Sequence, residues 1–143
     1  MNLLKLVKQH FPISISILVL FSCKSSSEIN LEGAWRLDSV YDYYNGFAYT
    51  NKTPYPAEVH VYNPDSTFLR KGMGHQSKYV YEVKKNLLLL KDTTGVPGAK
   101  LTIIRIDSTQ LALKKEKPAA FPGKNQEHFE IRFFTRISLD SVK

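Results

Sequence analysis

Between residues 31 and 138 the chain alternates short apolar or every-other-residue runs with turn residues, and no window sustains a helical period. Residues 33–42 (GAWRLDSVYD) open the series and are followed by Asn45-Gly46, a hairpin or loop signal. Residues 57–62 (AEVHVY) alternate and stop at Asn63-Pro64-Asp65-Ser66, where Pro and Asp occupy favoured turn positions. Residues 66–71 (STFLRK) run to Gly72-Met73-Gly74, and 77–84 (SKYVYEVK) place Tyr79, Tyr81 and Val83 on one face. After Lys85-Asn86 come 87–91 (LLLLK). Residues 99–106 (AKLTIIRI) and 109–115 (TQLALKK) then flank Asp107-Ser108, and 128–138 (HFEIRFFTRIS) form the last and longest run. Residues 43–53 carry neither helix cap nor period and read as a connection, as do 93–98 and 118–126. Eight strands at this spacing predict an all-β antiparallel up-and-down meander. A meander of that length hides its edges most economically by closing into a barrel.

The 143 residues suit one domain that needs no metal or disulfide to fold. The single Cys excludes an internal disulfide and a Cys-rich metal site. Residues 1–22 stand apart from the strands. Lys5 and Lys8 precede an apolar run, residues 11–21 (FPISISILVLF), too short for the ~20 residues of a membrane-spanning helix. Leu20-Phe21-Ser22-Cys23 closes that run and resembles the lipobox of bacterial lipoproteins. The resemblance implies a signal peptide over 1–22, a lipid on the Cys23 thiol, and acylation (palmitate-type chains) of its new amine. Residues 23–30 then form a lipidated Cys and flexible tether, and 31–143 the barrel domain. Residues 24–28 (KSSSE) lack the acidic run that directs some lipoproteins to the cell surface. The periplasmic face of the outer membrane is therefore the expected location, and the membrane a partner through Cys23.

The signal's two lysines account for part of the net charge of +7, and the remaining lysines are scattered. An exported chain without a basic and aromatic stripe excludes nucleic acid as a partner.

Leu31-Glu32-Gly33-Ala34-Trp35 near the start of the domain and Phe133-Phe134-Thr135-Arg136 near its end resemble two motifs of the lipocalin-like family, specifically small lipoproteins of Gram-negative envelopes. The resemblance implies that Arg136 lies over Trp35 and shuts the narrow end of the barrel. Elementary physics agrees: a barrel end needs a plug, and an indole under a guanidinium supplies one.

Catalytic chemistry is not in view. His60, His75 and His128 stand in separate segments with no H-x-x-x-H spacing, so no metal site is expected. No G-x-S-x-G, S-x-x-K or carboxylate pair is present, and Gly72-Met73-Gly74 lacks the following helix of a phosphate loop. No enzyme and no cofactor are expected. Binding fits better. If Trp35 plugs one end, ligand enters at the other, where strand direction brings Tyr43, Tyr44, Tyr55, Phe121, His128 and Arg132. Counting by twos from Arg136 aligns Phe134, Arg132, Glu130 and His128 on one face. Glu130 and Arg132 then pair with each other or meet a ligand head group, unless a bulge turns Phe129, Ile131 and Phe133 inward. The expected ligand is a small apolar or amphipathic molecule. The alternative is a solid barrel that serves as an envelope interaction or inhibitor module with a protein partner.

Overall fold

The computed structural model describes residues 29–53, 57–119, 121, 123 and 125–142. Cys23, Tyr55 and the expected signal segment lie outside the described residues. Nine strands form one antiparallel sheet: β1 (Gly33–Tyr44), β2 (Phe47–Lys52), β3 (Val59–Tyr62), β4 (Thr67–Gly72), β5 (His75–Lys84), β6 (Leu87–Lys91), β7 (Pro97–Ile106), β8 (Gln110–Glu116) and β9 (His128–Ile137). Strands β3 to β9 follow one another around the sheet, and β1 pairs with both β3 and β9, so eight strands close a barrel. A short 3-10 turn, Leu139–Ser141, follows β9.

β2 is the departure from the expected eight. Residues 43–53 are not a connection over the mouth. β1 runs on to Tyr44, turns at Asn45-Gly46 and returns as β2. Both turn residues have positive φ (44° and 92°), the geometry that an Asn-Gly pair adopts in a two-residue hairpin. β1 therefore pairs with β3 only at residues 33–36, and with β2 from Ser39 to Tyr44. β2 is exposed throughout and ends the sheet order.

Three turns share one device. In Asp65-Ser66-Thr67, Asp92-Thr93-Thr94 and Asp107-Ser108-Thr109, the Asp carboxylate accepts from both the backbone N–H and the hydroxyl of the Thr two residues on. These bonds to the ionised form hold all three carboxyls below the usual range.

The closed end is built on Trp35, which is fully buried and donates its indole N–H to the Leu31 carbonyl at 2.8 Å. Arg136 stands opposite Trp35 in the β1–β9 register, its guanidinium carbon 4.1 Å from the ring centroid. Arg136 also donates to the Glu32 carbonyl at 2.8 Å. Gly33 has φ +119°, and a Cβ there would stand 2.6 Å from Arg136 Nη1. The glycine is the space into which the guanidinium folds. Phe68, Leu88, Leu111, Leu113 and Phe134 extend the core above this plug.

Candidate functional site

A bulge decides what faces the interior. The β1–β9 register shifts between Leu37 and Ser39, so Asp38 is extra. Before it, Trp35 and Leu37 point inward. After it, Val40, Asp42 and Tyr44 do, opposite Arg132, Glu130 and His128. Tyr43 consequently lies on the outer wall, stacked on Phe129 at 4.9 Å with Lys114 over the Phe129 ring. Its placement corrects the expectation that it lines the mouth, and the bulge is the reason.

Tyr44, His128 and Phe121 come together beneath the β8–β9 loop. The Tyr44 hydroxyl donates to Gln126 Oε1 at 2.8 Å, and its ring meets Phe121 and His128 edge-on. His128 donates Nδ1–H to the Pro118 carbonyl at 2.8 Å. Phe121 remains 65% exposed. Pro118, Phe121 and Gln126 of the β8–β9 connection thus pack on Tyr44 and His128 at this end of the barrel.

Below them runs a chain of charges. Lys117 bridges Asp42 and Glu130, Arg132 joins Glu130 at 2.7 Å and Glu58 at 3.2 Å, and Glu58 meets His60 Nε2 at 2.6 Å. Glu130 and His60 are buried, at 5% and 6% exposure. Burial opposes ionisation of Glu130 and Glu58. Lys117 and Arg132 for the first, and His60 and Arg132 for the second, outweigh it, so both carboxyls titrate below the usual range. Burial likewise opposes the Lys117 charge, but its two carboxylates raise it overall. For His60 burial wins against the Glu58 contact, and the imidazole pKa falls. A neutral His60 facing an ionised Glu58 donates Nε2–H and leaves Nδ1 a bare acceptor.

The interior beside this network is partly hollow, and His60 and Arg132 belong both to the network and to the lining of that space. A cavity of about 250 Å³ lies among His60, Tyr62, Phe68, Tyr79, Leu101 and Leu113, with Arg70 and Lys115 on its lining. Arg70 also lines a second hollow of about 380 Å³ bounded by Val40, Lys52, Glu58, Met73 and His75, where β2 diverges from β4. Arg70 and Lys115 are exposed and in no ion pair among the described residues. Arg132, the expected head-group partner, is already paired twice.

Sequence reasoning missed Asp42, Glu58, Arg70 and Lys117 as interior groups and gave His60 no binding role. For Glu58, His60 and Arg70 the signal was present: Glu58, His60 and Tyr62 alternate within AEVHVY, as Phe68 and Arg70 do in STFLRK. Among the described residues no group of three His, Cys, Asp or Glu is placed to hold a metal ion, and no helix is long and apolar enough to cross a membrane. The chain matches no known protein-family model, and no curated protein is measurably similar to it.

Proposed function

We propose that this chain is an envelope lipoprotein, anchored through Cys23, whose lipocalin-like barrel holds a small amphipathic ligand. It acts by binding and not by catalysis. The observation that carries the reading is the partly hollow interior: a cavity of about 250 Å³ that shares Arg70 with a second of about 380 Å³. Pockets for drug-sized ligands run about 300–1,000 Å³, and the smaller cavity lies just below that range, so its occupant is small. The lipobox-like residues 20–23 and the basic, apolar leader support the anchor. The experiment is mass spectrometry of solvent extracts from protein purified out of its own envelope. A stoichiometric small molecule supports the reading, and an empty extract removes it.

The exposed β2 favours a second reading, an interaction module. Its outer edge pairs with no described strand, and Phe47 and Tyr49 are exposed. Such an edge accepts an extended segment of a partner protein. Crosslinking in the envelope from β2 positions checks this, and a specific protein adduct together with an empty extract would favour it.

A further inference from the structure

Two polar atoms beside the smaller cavity have no partner among the described residues: Tyr62 Oη and His60 Nδ1. Both side chains are more than nine-tenths buried and both line the cavity. The Tyr62 ring is fixed, stacked on Phe68 at 4.8 Å and edge-on to Tyr81 at 5.2 Å. His60 is fixed by Glu58, which takes its Nε2–H. An unpaired buried hydroxyl destabilises a fold, and Phe would occupy the same space without that cost. The cavity also has a charged side. Arg70 and Lys115 line it, exposed and free of ion pairs among the described residues. Arg132, already held by Glu130 and Glu58, is a third cation on the lining, and the rest is mostly apolar and partly aromatic: Phe68, Tyr79, Leu90, Leu101 and Leu113.

We infer that this cavity takes a small hydroxylated aromatic acid. Its anionic group meets Arg70 and Lys115, its ring packs against Phe68 and Tyr79, and its hydroxyl donates to His60 Nδ1 and accepts from Tyr62 Oη. One hydroxyl satisfies both orphaned atoms, because one needs a donor and the other can supply one. The volume excludes a long acyl chain lying wholly inside. The inference rests on the ligand-binding reading above and narrows it to a chemical class and to Arg70 and Lys115, because Arg132, on the same lining, is already held by Glu130 and Glu58.

Isothermal titration of the purified full-length protein with four probes tests it: trans-4-hydroxycinnamate, trans-cinnamate, trans-4-hydroxycinnamamide and palmitate. Hydroxycinnamate is expected to bind best, with loss of either polar group weakening binding about tenfold. Arg70→Gln should erase the preference for acid over amide. Tyr62→Phe should shrink the preference for hydroxycinnamate over cinnamate, while the thermal midpoint of the unliganded protein stays level or rises. Equal affinity for acid and amide overturns the inference, and so does a midpoint that falls in Tyr62→Phe. If palmitate binds and hydroxycinnamate does not, the ligand-holding reading stands and this inference fails. If none of the four binds, this inference fails, and the solvent extract decides the ligand-holding reading.

Discussion

Replacing Gly33 by Ala tests how the closed end is built. Two separable costs arise. The first is local: φ is +119°, a region that L-residues occupy at about 1–3 kcal/mol. The second is transmitted: the new Cβ would stand 2.6 Å from Arg136 Nη1, so the guanidinium must move. Moving it loosens a stack on Trp35 worth about 0.5–2 kcal/mol. It also strains a charge-assisted bond to the Glu32 carbonyl, worth about 1.5–3 kcal/mol at most. Because the Arg136 end is flexible and relaxes in part, the expected total is about 2–5 kcal/mol. Urea denaturation followed by Trp fluorescence measures it, since Trp35 is the one Trp. A double-mutant cycle with Arg136→Met separates the two costs. In that background Gly33→Ala should retain only the backbone part, with a coupling of at least about 1 kcal/mol. A Gly33→Ala loss within about 0.5 kcal/mol of zero, or strict additivity with Arg136→Met, would refute the reasoning.

Other outcomes follow from the interior and the leader. Glu130→Gln leaves Lys117 and Arg132 short of a buried counter-charge and should cost about 2–4 kcal/mol by urea denaturation. Because the His60 pKa is lowered in the fold, the unfolded chain takes up that proton first, and stability should start to fall as pH drops below about 6.5. Glu58 and Glu130 are lowered too, so the loss should steepen below about pH 4.3, whereas the raised Lys117 loses its contribution only above about pH 10.4. A denaturation midpoint measured from about pH 3 to 11 checks this, and His60→Gln should flatten the decline between about pH 6.5 and 4.3. Cys23→Ser should move the protein from the membrane fraction to a soluble or uncleaved form, and unchanged partition would remove the anchor.

The barrel was readable because turn chemistry punctuates it. Asn63-Pro64-Asp65-Ser66, Lys85-Asn86 and Asp107-Ser108 separate apolar or alternating runs, and the strands from β3 to β9 fall close to where the alternation puts them. β2 was not readable as a strand, because residues 47–52 (FAYTNK) are exposed on both faces and carry no apolar alternation. The interior was harder still. Period-two reasoning assigns the apolar face of AEVHVY to the core, yet Glu58, His60 and Tyr62 face the interior while Val61 is buried as well. The Glu130–Arg132 pairing was one of the outcomes left open by counting along β9, and the structure contains it. Tyr43 was misplaced by one bulged residue, Asp38, which local sequence does not mark. Arg70, rather than Arg132, as an unpaired cation on the cavity emerges only once the long-range partner of Arg132, Glu58, is in view.

The central claim is that the hollow part of the barrel is a ligand site, and filling it is the direct test. Ala99 lines the smaller cavity and is half-buried, so Ala99→Phe places a ring in space that is otherwise empty. Native mass spectrometry would compare the two proteins purified from their own envelope, after circular dichroism has shown the same β spectrum for both. A stoichiometric small-molecule adduct is expected on the original protein and none on Ala99→Phe. An adduct that persists in Ala99→Phe, or an original protein that carries no adduct, would contradict that claim.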